Sequence, residues 1–323
     1  RQYFEILPSS RTCYTQIFSR GCPYSCSYCC NSKFHGIYPN WPKIRSMSVD
    51  ATINEICVNI EHNPSIIKVF VIDDCFLAHD TGWLKDFAAK WREKVNKELN
   101  FFTIPEYVTR EKLEILKSIN MRYCSVGLQS GSRKINGLYN RKFSPETFLR
   151  ACGSIRSLDM GLVVNLIFDN PWEKDEDVYE TLKILTRIEK PFYIMQYSLK
   201  IYPGTKLFEH CRDNNITIPD FNKWFVNYNT IRAEDINRVL VLSQMLPPGI
   251  IFYLFRNYRE RAVKILLRAF YLLACIIMPF HALRVSGSKN MKHNVAIALS
   301  HSRLALNWVK GLLGRADAPE TSG

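Results

Sequence analysis

Cys22, Cys26 and Cys29 stand in the run Cys22-Pro-Tyr-Ser-Cys26-Ser-Tyr-Cys29. Thiolates are the usual protein ligands of iron-sulfur clusters, and three on one loop can each take one iron of a cubane. A four-iron cluster held by three cysteines leaves one iron open, and an open position separates a catalytic metal site from a structural one. That iron can chelate the amino and carboxylate groups of a small molecule such as S-adenosylmethionine (SAM). An electron delivered there can break the bond from the sulfonium to the 5′ carbon, giving methionine and a carbon radical that abstracts unactivated hydrogen. In such chemistry the protein binds and orients, and the cofactors react. A structural zinc site would ask for two CxxC-like pairs, and a ferredoxin for a fourth ligand at its own spacing. Neither pattern occurs, and Cys30, adjacent to Cys29 on a tight loop, should point in a divergent direction.

The cysteine run needs a frame. From Tyr14 to about Leu199, short β-rich runs alternate with segments of helical period, as in βα units around a parallel sheet. Six strands are predicted, at Thr15–Ser19, Ile66–Ile72, Phe101–Ile104, Tyr123–Leu128, Leu162–Phe168 and Tyr193–Leu199. Predicted helices cover Val49–Glu61 behind Ser48 as N-cap, Thr81–Glu98, a segment from about Thr109, one opened by Ser144-Pro145-Glu146, and Asp175–Ile188. Continuous apolar runs such as Leu162–Phe168 suit strands buried on both faces. The fold class is therefore α/β, a partial (β/α)6 TIM-like barrel, with a helical C-terminal region after Pro203-Gly204-Thr205. The expected division is a connector over 1–13, a barrel over 14–215, a mostly helical region over 216–315, and a disordered polar tail over 316–323.

In a parallel barrel the functional groups sit at the C-terminal ends of strands. Asp73, Asp74, Gln129, Ser130, Ser132 and Asn165 are so placed, where they can bond SAM's ribose and amino group or cap the following helices. The seven histidines show no ligand spacing and receive no role. The cysteines outside the run lie on apolar segments and read as small buried hydrophobes. Cys75, near a strand end, is kept as a candidate substrate-side thiol.

These residues resemble the radical SAM superfamily, whose CxxxCxxC motif has an aromatic just before its last cysteine, here Tyr28. The likeness covers about residues 14–210, with Asp73-Asp74-Cys75-Phe76, Gly127-Leu-Gln-Ser-Gly-Ser132 and Tyr202-Pro-Gly-Thr205 in family order. It implies that Cys22, Cys26 and Cys29 hold the cluster and that Tyr28 packs near the SAM adenine. The wording is similar to the branch whose barrel follows a cobalamin-binding domain, with methyltransferases and ring-modifying enzymes acting on lipids, pigments and natural products. Cobalamin is implied only through such an N-terminal domain, to which Tyr3–Arg11 reads as the connector, because the DxHxxG signature is absent here. One departure is Asp169-Asn170-Pro171-Trp172-Glu173, where relatives have Gly-x-Pro-Gly-Glu, so close backbone approach to SAM is in question there.

The net charge is +13 over 323 residues, but residues 251–323 hold eleven Lys/Arg against three Asp/Glu, so the basicity is local. Ala269–Phe280 is apolar and flanked by basic residues, too short to span a bilayer and suited either to a membrane interface or to packing on the barrel. Leu304–Leu313 repeats the pattern. Basic residues are not interleaved with stacking aromatics in the barrel, which argues against nucleic acid as a partner. Without a signal-peptide core, the cysteines read as those of a reduced cytoplasm.

The expected function is thus reductive cleavage of SAM by a 4Fe-4S cluster, acting on a small organic or lipid-like substrate, with a flavodoxin or ferredoxin type of electron donor. In a full-length form it would be a cobalamin-dependent methyltransferase. The alternatives are a non-catalytic iron-sulfur or zinc protein, or an RNA-modifying radical SAM enzyme. The expected place is the cytoplasm, at most peripheral to the inner face of the membrane.

Overall fold

The computed structural model describes residues 12–218 and 234–286. Six strands, β1 (Cys13–Gln16), β2 (Lys68–Val71), β3 (Glu98–Thr103), β4 (Met121–Gln129), β5 (Gly161–Phe168) and β6 (Tyr193–Ser198), lie side by side in chain order. Every neighbouring pair is parallel, from Val69 opposite Leu99 to Val164 opposite Ile194, and the sheet curls into a half-barrel with helices outside. This is the predicted α/β architecture. Parallel order is enforced because each crossover carries a helix whose apolar side must cover the sheet.

The helices are α1 (Cys30–Ile37), α2 (Val49–His62), α3 (Thr81–Lys90), α4 (Arg110–Lys117), α5 (Arg133–Leu138), α6 (Pro145–Ser157), α7 (Asp175–Leu185), α8 (Lys206–Asp213), α9 (Asp235–Leu242), α10 (Pro248–Asn257) and α11 (Arg261–Ser286). The starts of α2 and α6 follow the residues predicted to open them, and α4 begins at the predicted place. Ser48, Thr109 and Ser144 side chains accept from Ala51, Lys112 and Thr147 backbone N–H groups. The core between sheet and helices is built from Val69, Leu99, Phe101, Val126, Leu162, Val164 and Ile194, all fully buried. Each such side chain contributes roughly 1.5–3 kcal/mol of transfer free energy.

Four elements depart from expectation. The first strand ends at Gln16, because the chain must leave the sheet so that Phe18 and Ser19 can bond Asp73. The helix expected to reach Glu98 stops at Lys90, continues as a wide π turn over Trp91–Val95, and breaks at Asn96 with φ 46°. That turn buries Trp91 completely and frees Glu98–Thr103 to enter the sheet, where Leu99 and Phe101 join the core. The short helices α1 and α5 were not anticipated, since neither carries an apolar period.

α9 through α11 form the helical C-terminal region. The end of α11 lies against the starts of β5 and β6: a Cβ on Gly161 would sit 2.1 Å from Val285 O, and His281 Nε2 is 2.7 Å from Phe192 O. Tyr3–Arg11, Leu304–Leu313 and the 316–323 tail lie outside the described residues, as do residues 219–233 just past the expected boundary at 215/216. Among the described residues no helix is long and apolar enough to cross a membrane.

Candidate functional site

The cysteine loop starts where two strand ends meet. The Asp73 carboxylate, just past β2, accepts from Phe18 N (2.7 Å), Ser19 N (3.0 Å) and Ser19 Oγ (2.6 Å), which fixes the chain as it leaves β1. Gly21 then takes φ 99°, and a Cβ there would lie 2.0 Å from Lys43 O, so only glycine fits the turn. Beyond it the loop is tied to distant elements. Ser27 N donates to Tyr139 O (2.9 Å), Ser27 Oγ to Leu138 O (2.7 Å), and Leu207 N to Ser27 O (2.9 Å). Asn140 Nδ2 adds a bond to Ser25 O. The end of α5 and the start of α8 thereby hold the middle of the motif.

Cys22, Cys26 and Cys29 all line one cavity of about 420 Å³ at the C-terminal ends of the strands. Around the same cavity stand Tyr28, Asp74, Gln129 and Asn165, with Tyr24, Asn31, Thr103 and Arg141. Among the described residues no three His, Cys, Asp or Glu side chains converge tightly enough to hold a single metal ion. Three thiols on one cavity wall suit a group that offers a separate metal atom to each, as a cubane does. Burial, with Cys75, Asp74 and Cys26 close by, pushes the Cys22 thiol up to about 12. Its hydrogen bond with Cys30 and then its own burial raise Cys29. Binding of a metal group must therefore displace protons from these thiols.

The candidate residues divide by the direction in which they face. Asp74 is exposed on the cavity wall, whereas Asp73 also reaches it but is 1% exposed and committed to Phe18, Ser19 and, at 3.7 Å, His79. Gln129 faces the cavity from a positive φ of 66°, at a register shift in β4. Its amide folds back over Gly127, where an added Cβ would meet Gln129 Nε2 at 2.7 Å. Asn165 reaches the cavity while its Oδ1 accepts from Ser125 Oγ (2.8 Å).

Ser130 and Ser132 point elsewhere. Ser130 Oγ donates to Glu173 Oε1 (3.0 Å), and Ser132 Oγ donates to Asp177 Oδ1 (2.6 Å) while capping Ile135 N. Both are buried and knit α5 to α7 behind the wall. Tyr28 does belong to the wall, its ring set edge-to-face on Tyr139 at 4.8 Å. Cys75 does not line the cavity; its Sγ is buried 3.5 Å from Thr103 Oγ1. At the departure from the glycine-rich turn, Asp169 adopts φ 60°, so an aspartate holds the left-handed conformation that glycine supplies without strain.

Arg141 is the residue sequence reasoning missed. It is 8% exposed, donates from Nη2 to Gly127 O (2.7 Å), and stands over the Tyr24 ring at 5.3 Å. Its Nε makes no hydrogen bond. A buried guanidinium in a cavity lined by thiols is suited to an anionic ligand group. The only sequence signal was a lone arginine after Asn140, in a segment given no structure.

A family model for the radical SAM superfamily matches residues 17–185, more than half of the chain. The chain belongs to the radical SAM superfamily. It is 24% identical over 230 residues to the hopanoid C-3 methylase of Methylococcus capsulatus, covering 71% of this chain and 42% of that protein. It is also 24% identical over 258 residues to a tRNA-2-methylthio-N(6)-dimethylallyladenosine synthase of Bacteroides fragilis, covering 74% and 54%. The chain thus spans about half the length of the curated relatives it matches. The solved structure of the cobalamin-dependent SAM radical enzyme OxsB, with aqua-cobalamin and SAM bound, superposes with a TM-score of 0.53. It has 15% identity, covering 97% of this chain and 57% of that one. As a radical SAM protein the chain has the partial barrel expected of the group, the fold it shares with OxsB.

Proposed function

We propose that this radical SAM protein cleaves SAM reductively and acts on a small organic or lipid-like substrate, serving as a methyltransferase in its full-length form. What supports the reading is the gathering of Cys22, Cys26, Cys29, Tyr28, Gln129, Asn165 and Arg141 around one cavity. When bound, a 4Fe-4S cluster on the three cysteines would supply the electron that breaks SAM into methionine and a 5′-deoxyadenosyl radical. The chain's own residues have the binding and orienting work. Arg141 would hold the methionine carboxylate, Asp74, Gln129 and Asn165 the amino and ribose hydroxyl groups, and Tyr28 the adenine face. Hydrogen bonds held in place before the ligand arrives cost no reorganisation when it binds. The methylase relative favours methyl transfer and a lipid-like substrate. A flavodoxin or ferredoxin type of donor would reduce the cluster in the cytoplasm, and cobalamin would enter with a domain homologous to those of the cobalamin-dependent relatives.

The test is anaerobic reconstitution with iron and sulfide, followed by low-temperature EPR of the reduced protein with and without SAM and a chromatographic assay for 5′-deoxyadenosine. A reduced-cluster signal that shifts on adding SAM, with deoxyadenosine formed, is expected. Cys26→Ala should lose the cluster and lower the rate of product formation by about a thousandfold or more, on the order of 4 kcal/mol in barrier. A zinc-loaded protein, or a cluster indifferent to SAM, would sink the proposal.

A further inference from the structure

The last described helix, α11, is covered on one side only. Val263, Leu267, Ala274 and Val285 are buried against the rest of the molecule. On another side Ile265, Leu272, Leu273, Ile276, Ile277 and Phe280 are 39–64% exposed. At 100° and 1.5 Å per residue these side chains occupy an arc of roughly 140° along about 22 Å of helix. That is a continuous stripe, unlike the scattered apolar residues any surface carries.

The charges around the stripe indicate what covers it. Arg261–Ser286 contains Arg261, Lys264, Arg268 and Arg284 and no acidic residue. By the same helical geometry Arg261 borders one edge of the stripe, with Arg268 beside it 3.4 Å from Asp235, and Arg284 follows one turn past its C-terminal end. A second copy would set these cations against their own equivalents. The chain that follows, residues 287–323, is itself basic, with five Lys/Arg against Asp317 and Glu320. Neither offers the opposite charge. A partner that is apolar within and negatively charged at its surface satisfies both features.

We propose that the outer face of α11 docks on an anionic lipid bilayer, lying in the interface with its apolar stripe among the acyl chains and its cations at the headgroups. The helix is not long and apolar enough to cross the membrane. Lys264 and Arg259 line a surface cleft with Asp169 and Asp175, beyond the end of β5. The start of α11 therefore lies by the C-terminal ends of the strands and its end by their starts, so the docked face runs along the side of the half-barrel. The inference does not depend on the reaction proposed above, because its test reads binding alone.

The purified 323-residue chain is sedimented with vesicles of phosphatidylglycerol and phosphatidylcholine in equal parts, and with phosphatidylcholine alone, at 0.1 M and 0.5 M salt. Partition into the anionic vesicles should exceed that into the neutral ones at least tenfold and fall at high salt. Leu273→Ser with Ile276→Ser should lower it at least tenfold while leaving the thermal melt unchanged, both sites being exposed. Arg261→Gln with Arg284→Gln should lower only the anionic preference, several-fold. Partition without charge preference, binding equal to the parent in the serine variant, or a dimer on analytical ultracentrifugation that the serine variant dissociates would each overturn the proposal.

Discussion

The wall of the cysteine-lined cavity and the polar layer behind it are made from the same residue types, taken from adjacent positions, and do different work. Asp73 and Asp74 follow β2 together, yet Asp74 faces the cavity as an exposed carboxylate while Asp73 is buried and engaged by Phe18 and Ser19. Gln129 and Ser130 end β4 together, yet Gln129 faces the cavity and Ser130 turns back to Glu173. At each strand end one of two neighbours is free to face the cavity and the other holds the loop, and in β4 the positive φ of Gln129 breaks the strand's alternation to do it. A polar residue at a strand end is thus half an argument, and its local backbone and partners supply the rest.

The widest gap should separate the two aspartates. Asp73→Ala leaves Phe18 N, Ser19 N and Ser19 Oγ without their acceptor in a buried place. It should cost roughly 3–5 kcal/mol of stability in urea unfolding. Asp74→Ala should change stability by less than about 0.5 kcal/mol and instead weaken SAM binding several-fold. Equal stability of the two variants would remove the distinction between wall and support.

Arg141 tests the wall from the other side. Arg141→Met keeps an unbranched apolar side chain but removes the guanidinium that bonds Gly127 O. SAM affinity of the reconstituted protein, measured by equilibrium dialysis, should fall about 10- to 100-fold. Ser132→Ala makes the opposite case. Losing the cap on Ile135 N and the bond to Asp177 should cost about 1–2 kcal/mol of stability with less than about twofold change in affinity. If Ser132→Ala weakened SAM binding as much as Arg141→Met, the serine would belong to the wall after all.

Much of this was legible in the sequence, for a physical reason in each case. The six strands announce themselves by buried apolar runs, and two helix starts by Ser48 and Ser144, because capping and burial are local demands. The cysteine run is legible because metal ligation needs particular atoms at particular spacing. What escaped depends on contacts far along the chain. Ser27 is held by Leu138, Tyr139 and Leu207, partners about 110 residues or more away, and Arg141 reaches the cavity only because the six-residue helix α5 turns the chain there. α5 has no apolar period to reveal it, and the positive φ of Gln129 and Asp169 leaves no mark in residue type.

Glu173 offers the smallest effect and the finest test of the supporting layer. Burial pushes its carboxyl up to about 7, against the hydrogen bond from Ser130 and with Asp177 nearby adding to the rise. The folded protein therefore holds a proton that the unfolded chain, titrating near 4.5, has already lost. Between those values the native state binds more protons, so stability must fall as pH rises and level off above about 7. Glu173 is only half-buried, which limits the decline to on the order of 1 kcal/mol. Glu173→Gln cannot titrate but can still accept from Ser130, so its unfolding free energy should stay level where the parent's declines. Its SAM affinity should match the parent's within about twofold, since Glu173 stands behind the wall. Were the decline to persist in Glu173→Gln, the proton would reside elsewhere; were affinity to fall with it, the layer behind the wall would be setting the wall's chemistry rather than only its position.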